Sequence, residues 1–336
     1  MSVKNKKVVL ASSISGVPRA DNFRVIETNI AEPRDDEMLV RHIYLSLDPY
    51  QRSAIAGVHI SADGALREDE APSAETVGQV VESRHPDFKA GDYVRHFGGW
   101  QEYSLSDGSR AFKINAELAP LSTYVGILGM PGLTAYASMV KLADVHAGQS
   151  VLVSAASGPV GSMVGQIATQ LGANACGIAG SDEKCRFALE ELGFENCINY
   201  KKVDYPESLH AKLPDGADIY HDNVGGQMLI DALGVLKEYG TVILCGLISQ
   251  YNDAEKGKGF NIAPAIIKRA VMRGLVVYDY EDQRQEFFDL VAPWVRAGRI
   301  KYKEDRVDGI ENTGAHFARL MSGENFGKAL VVLDRE

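Results

Sequence analysis

The sequence predicts an α/β protein of two domains, a doubly wound parallel sheet joined to a smaller β-rich domain that curls into a barrel or sandwich. Three observations predict it. The chain has 336 residues, beyond the size at which one hydrophobic core stops growing. Up to about residue 120 the apolar runs are short, rich in Val, Ile and Tyr, and punctuated by Gly, Pro and Asp, as antiparallel strands are. From about residue 150 strands alternate with helical patterns, and that rhythm implies a parallel sheet covered on both faces.

The first strands are expected at "KVVLASS", "FRVIETNI", "EMLVRHIYLSL", "ETVGQVVES", "DYVRHF" and "QEYSLS". Alternation in "GQVVES" and "FRVIETN" marks them as half-buried. A helical period begins near "GMPGLTAYASMVKLADV". Beyond it "VLVSA", "ACGIAG", "CINY", "DIYHDNV" and "TVILCGLI" are the strands. "PVGSMVGQIATQLG" and "DEKCRFALEELG" are helices, the second stopped by Gly193 as a cap. The closing "HFARLMSGENFGKALVVLD" is a helix, a turn and a strand that rejoins the first domain. Domains are therefore expected at 1–124 with 300–336, and at 125–299. The polar, acidic segment "AGVHISADGALREDEAPSAE" is expected to be a mobile lid.

Lysine and arginine number 35 against 45 aspartates and glutamates, a formal net charge of −10. That balance argues against a nucleic-acid partner, which needs an excess of Lys and Arg. No stretch approaches the roughly 18 apolar residues that cross a bilayer, so no membrane span is expected. The start, "MSVKNKKVVLASS", lacks the apolar region and cleavage site of a secretory leader. Cys176, Cys185, Cys197 and Cys245 follow no ligand spacing and suit reduced thiols in a cytoplasmic protein. No metal site is expected.

In "VLVSAASGPVGSMVG" a strand runs into a helix, with Gly158 and Gly161 at the turn. A side chain at Gly158 would hold the backbone away from a pyrophosphate, and one at Gly161 would push the helix off the strand. Ala156 takes the place of the motif's first glycine, where a tight turn is wanted. With Val160 these residues form a candidate phosphate cradle at a helix N-terminus, where unpaired N–H groups carry partial positive charge. The plainer alternative is a strand–turn–helix corner with no ligand.

The second strand indicates which nucleotide. An NAD enzyme carries Asp or Glu about 20 residues beyond the loop. Here "GIAGSDEK" offers Ser181 as a donor and Lys184 as a positive charge, and a carboxylate in that place would repel a 2′-phosphate. NADP(H) is the expected cofactor, with Tyr200, at the next strand tip, against the same phosphate. Asp182 and Glu183 oppose this unless they serve the helix macrodipole.

"LDPYQR", "GMPGLTAY", "AASGPVGSMVGQIA", "GIAGSDEK", "DNVGG", "CGLISQYN" and "GENFGKALV" together resemble the zinc-free NADPH-dependent double-bond reductases of the medium-chain dehydrogenase/reductase superfamily. The likeness runs from about residue 37 to the C-terminus. The zinc enzymes of that superfamily need an early Cys, a Gly-His-Glu segment and often a four-Cys lobe, yet no Cys precedes Cys176 here. The resemblance implies a GroES-like barrel, a Rossmann domain, and a homodimer formed through the latter. It also implies reduction of the C=C bond of an α,β-unsaturated ketone or aldehyde in a cleft between the domains. NADPH-dependent quinone reduction and non-catalytic NADPH binding are the alternatives.

Such a reaction sends hydride to the β-carbon and gathers negative charge on the carbonyl oxygen, where a donor acts in the transition state. Tyr50, in "LDPYQR", is the catalytic candidate: a neutral Tyr donates throughout the physiological range, and Pro49 stiffens the chain before it. In the family the corresponding Tyr bonds the substrate oxygen together with the nicotinamide ribose 2′-hydroxyl. The α-carbon then takes a proton from water. The resemblance further implies cofactor contacts for Asn223 in "DNVGG", Tyr251 in "LISQYN", Asn325 in "GENFGK", and Met130 and Thr134 in "GMPGLTAY". Tyr278 and Tyr280, in "GLVVYDYEDQ", are implied near substrate and the dimer interface. His221 departs from the bulkier aromatic common before that Asp-Asn pair.

Overall fold

The computed structural model describes residues 3–252 and 261–334. The chain divides into two compact units, Met1–Gly126 with Glu304–Glu336, and Ile127–Lys303. The boundaries thus fall at 126/127 and 303/304 instead of 124/125 and 299/300.

The first unit opens with β1 (Val3–Leu10) and β2 (Phe23–Ile30), paired antiparallel along their whole length. β3 (Met38–Ser46) leads into α1 (Tyr50–Ile55), a short helix that the strand-rich pattern of this region did not suggest. β4 (Thr76–Ser83), β5 (Tyr93–His96), β6 (Tyr103–Ser106) and β7 (Phe112–Lys113) follow. Inward-facing Met38, Val40, Val80 and Val94 form one buried cluster, as alternation in β3 and β4 requires. The segment expected as a mobile lid is pinned in its second half. Asp69 N–H donates to the Leu10 carbonyl, Leu10 N–H to the Glu70 carbonyl and Ser46 N–H to the Glu75 carbonyl, each at 2.9 Å. Glu75 itself is fully buried in an ion pair with Arg95.

The second unit begins with α2 (Met130–Tyr136), prolonged by a π-helical stretch, Ala137–Leu142. Strands and helices then alternate. In order they are β8 (Ser150–Ser154), α3 (Pro159–Gln170), β9 (Asn174–Ala179), α4 (Asp182–Glu190), β10 (Asn196–Asn199) and α5 (Tyr205–Lys212). Next come β11 (Ala217–Asp222), α6 (Gly226–Val235), β12 (Leu236–Leu244), α7 (Ala263–Lys268), β13 (Val271–Gly274) and α8 (Arg284–Arg296). β12 starts earlier than its apolar run "TVILCGLI" because α6 passes into it without a loop. The six strands lie in the order β10-β9-β8-β11-β12-β13 and every pair is parallel. This is a doubly wound sheet. Its strand order reverses between β8 and β11, which is where ligands of such sheets bind, beyond the carboxyl ends of the strands.

The chain then returns to the first unit as β14 (Glu304–Asp308), α9 (Thr313–Met321) and β15 (Lys328–Val332). The larger sheet there runs β14-β15-β3-β4-β5-β7, with β6 also on β3. Phe317 of α9 meets Trp100 at 5.3 Å and Phe23 at 6.0 Å between ring centroids, fastening the returning segment to the unit's core.

Candidate functional site

The loop after β8 occupies the switch point. Its left-handed residue is Ala155 (φ 51°), not Ala156. Ala156 therefore tolerates its methyl group, and the strain of about 1–2 kcal/mol falls one residue earlier. Gly158 is the N-cap of α3, and its N–H donates to the Ala155 carbonyl at 2.9 Å. A Cβ on Gly161 would lie 2.4 Å from the Ala155 carbonyl oxygen and 3.0 Å from the Ala156 Cα, so only glycine lets α3 sit this close to β8. Pro159 and Val160 form the first helical turn, and the first helical hydrogen bond runs from Ser162 N–H to the Gly158 carbonyl (2.9 Å). The Val160 and Gly161 amides precede that bond, at the end of the helix that favours an anion.

The tip of β9 gathers three of the expected residues. Ser181 caps α4, its hydroxyl oxygen accepting from Lys184 N–H at 3.2 Å. Capping uses a lone pair and leaves the hydroxyl proton for a ligand. The Tyr200 ring packs on Gly180, where a Cβ would stand 3.3–3.6 Å from it. Asp182, the carboxylate whose charge opposes a phosphate, is held elsewhere: it pairs with Lys202 at 2.9 Å and accepts from Asn199 Nδ2 at 3.0 Å. Those partners keep its carboxyl below the usual carboxylate range. Lys202 and Asn199 were missed by sequence reasoning, which looked for charge on α4 and not on the neighbouring strand's exit.

At the tip of β11, Asn223 donates from its backbone N–H to Ser154 Oγ (2.8 Å) and from Nδ2 to the Ser154 carbonyl (2.7 Å). It thereby ties β11 to β8 across the switch point. Asp222 Oδ1 accepts the N–H groups of Val224 (3.0 Å) and Gly225 (2.9 Å) and the Tyr220 hydroxyl (2.8 Å). Gly225 and Gly226 are both left-handed, at φ 71° and 63°, which is reason enough for glycine there. His221 is wholly buried in β11 against Asn223 Oδ1 (3.2 Å), so it packs within the sheet.

The unit's other candidates fall on helices and turns. Tyr251 lies in a turn beyond β12, not at the strand's end, and its hydroxyl accepts from Leu247 N–H at 3.2 Å. Met130 opens α2, and Thr134 Oγ1 donates to the Met130 carbonyl at 2.8 Å; both are buried. Tyr278 and Tyr280 belong to a 3-10 stretch, Val277–Gln283, after β13.

In the first unit Tyr50 is the first residue of α1, and the turn before it is built from buried polar groups. Lys328 Nζ donates to Asp48 Oδ1 (2.7 Å) and to the Leu47 carbonyl (2.8 Å), while Ser46 Oγ donates to Asp48 Oδ2. Gln51 Oε1 accepts from Asp48 N–H (3.2 Å), and Gln51 Nε2 donates to the Ser46 carbonyl (3.1 Å). Arg52 donates to the carbonyls of Ile14 and Gly16. Asp48 and Gln51 are thus spent on the turn and Arg52 on the segment at 14–16, while the half-buried Tyr50 has its ring 4.9 Å from that of His59. Asn325 sits in the loop before β15 and donates from Nδ2 to the Gly327 carbonyl at 2.9 Å.

The second unit's arrangement fits an anionic dinucleotide: a strand-to-helix turn so close that position 161 admits only glycine, a helix N-terminus, and a hydroxyl, a lysine and a tyrosine at the next strand tip. Among the described residues no group of three or more His, Cys, Asp or Glu could hold a metal ion.

Residues 6–114 match a family model described as the N-terminal domain of oxidoreductase, and residues 159–293 match one described as zinc-binding dehydrogenase. The chain is 37% identical to the NADPH-dependent curcumin reductase of Escherichia coli, covering 98% of this chain and 96% of that one. It is 39% identical to the NADP(+)-dependent 2-alkenal reductase of Nicotiana tabacum, covering 99% of both. The crystal structure of CurA in complex with NADPH from Vibrio vulnificus superposes with a TM-score of 0.92 at 38% identity, over 98% of this chain and 100% of that one.

Proposed function

This chain belongs to the NADPH-dependent double-bond reductases, a branch of the medium-chain dehydrogenase/reductase superfamily, and on that premise we propose that it reduces the C=C bond of α,β-unsaturated ketones and aldehydes. It is an NADP-dependent oxidoreductase. The observation that carries the substrate assignment is the likeness, over nearly the whole chain, to relatives named for curcumin and 2-alkenal reduction.

Ala156, Gly158, Val160 and Gly161 would hold the pyrophosphate of NADPH, and Ser181, Lys184 and Tyr200 its 2′-phosphate. Asn223, Tyr251, Met130, Thr134 and Asn325 are proposed as further contacts, Tyr278 and Tyr280 as substrate neighbours. Bound NADPH supplies the hydride that the β-carbon receives. Tyr50 donates its O–H hydrogen bond to the carbonyl oxygen, where the π pair arrives as charge develops. Because that charge grows only on the way to the transition state, the bond accelerates the chemical step and not binding alone. The enolate carbon then takes its proton from water. No step is routed through zinc, since the donor set to hold it is lacking among the described residues.

Two further features belong to the proposal. β13 is the edge of the parallel sheet, with Val271 and Met272 exposed beside Ile266 and Ile267 of α7, and an apolar edge of this kind supports a homodimer. The four free cysteines suit a reducing compartment, in keeping with a cytoplasmic protein.

The test is oxidation of NADPH in the presence of a simple enone. Tyr50→Phe should lower kcat by about 10²–10³, the usual loss when one donor to a developing oxyanion is removed, with NADPH affinity unchanged. Equal turnover by the variant would remove Tyr50 from the mechanism.

A further inference from the structure

Lys328 is a buried lysine that the chemistry above does not use. It lies at the start of β15, 3% exposed, with Nζ bonded to Asp48 Oδ1 and to the Leu47 carbonyl. Asp48 is as deeply buried, at 3%, and its second oxygen accepts from Ser46 Oγ. Burying two charges gains little stability over an apolar pair of similar size, because desolvation consumes most of their attraction. Stability is therefore a poor reason for placing charges here. Their geometry supplies a better one. The lysine grips the two residues, Leu47 and Asp48, that immediately precede Pro49 and Tyr50, and Gln51, just beyond Tyr50, reaches back to the Asp48 N–H and the Ser46 carbonyl. Ser73, from the segment pinned before β4, accepts a further bond from Gln51 Nε2 at 3.3 Å.

We propose that Lys328 and Asp48 are positioning residues for Tyr50: their buried ion pair, reaching from β15 to the turn before α1, fixes the direction from which the phenol hydroxyl meets the substrate's carbonyl oxygen. The inference rests on the catalytic role proposed for Tyr50. Positioning of this kind acts on kcat, since a donor displaced by about an ångström loses most of its transition-state advantage while the substrate still binds. Burial pushes the Lys328 ammonium's pKa down, and the neighbouring Asp48 carboxylate opposes that shift.

The experiment is a set of cycles on the full chain with NADPH and an enone. Lys328→Met alone leaves the Asp48 carboxylate without its cation and can unfold the protein. The working variants are therefore Lys328→Met with Asp48→Asn, which removes both charges, and Ser46→Ala, which removes one bond to Asp48. The double variant should bind NADPH as the parent does and lose at least tenfold in kcat with KM nearly unchanged; Ser46→Ala should lose about threefold. The decisive arm repeats both in the Tyr50→Phe background. If the pair acts through Tyr50, neither change lowers kcat further there, because the group being positioned is already gone. A multiplicative loss in that background, or full kcat in the folded double variant or in Ser46→Ala, overturns the proposal. Full turnover by Tyr50→Phe alone would overturn the catalytic reading beneath it, so the two failures are told apart.

Discussion

Gly158 and Gly161 lie three residues apart, one the N-cap of α3 and the other in its first turn, and alanine at each should separate the duties proposed for them. At Gly161 the new Cβ would stand 2.4 Å from the Ala155 carbonyl oxygen and 2.9 Å from its carbon, backbone atoms that cannot swing aside. The helix α3 must move off β8. Overpacking of this kind costs about 1–3 kcal/mol, offset by up to about 1 kcal/mol from replacing glycine within a helix. A net loss of about 1–2 kcal/mol is expected, with NADPH binding weakened because the amides at the helix start move too. At Gly158 the Cβ meets only the Ala155 oxygen, at 3.2 Å, and φ is an ordinary −77°. Its stability cost should stay near 0.5 kcal/mol, the scale of exchanging N-cap residues. NADPH affinity should nevertheless fall about tenfold or more, a loss of roughly 1.4 kcal/mol, because the methyl group takes space meant for a phosphate. Urea unfolding and fluorescence titration with NADPH measure both quantities. Gly158→Ala binding NADPH like the parent, or Gly161→Ala matching the parent's stability, would refute the division of labour.

Two other outcomes follow from the fold. Burial lowers the pKa of His42 from 6.5 to about 4, and that of His221 likewise, so both are neutral when folded. Between those values the unfolded chain binds protons that the folded one refuses; stability is complete above pH 6.5 and is lost as the pH falls toward 4. At pH 5 each histidine should cost about 2 kcal/mol, and an unchanged urea midpoint between pH 7.5 and 5 would contradict the assignment. Met272→Glu puts a charge on the exposed edge strand β13 and should convert the proposed dimer to monomer in sedimentation; an intact dimer would locate the interface elsewhere.

Much of this was legible in the sequence, because periodicity reports which face of an element is buried. "FRVIETNI" and "VLVSA" mark β2 and β8, whose burial patterns they mirror. The parallel sheet followed from strands and helices taking turns. What escaped was set by contacts distant in the chain. Nothing local in "DPYQR" reveals that Asp48 awaits a lysine some 280 positions later. Ala155 and Ala156 are the same residue type, so the sequence could not show which one carries the left-handed turn; that depends on how β8 meets α3. Asp182 looked hostile to a phosphate until Lys202, on the exit from β10, was seen to neutralise it. The polar segment 56–75 looked mobile from composition alone, but backbone bonds to Leu10 and Ser46 pin its later part.

We propose that the choice of cofactor turns on a 2′-phosphate being received at the tip of β9. Calorimetric titration with NADPH and NADH, on the parent and on Lys184→Ala, tests it most directly. The parent should hold NADPH at least tenfold more tightly than NADH, and Lys184→Ala should lose most of that margin with NADH binding unchanged. Equal affinity for both cofactors in the parent, or a margin that survives the loss of Lys184, would contradict it.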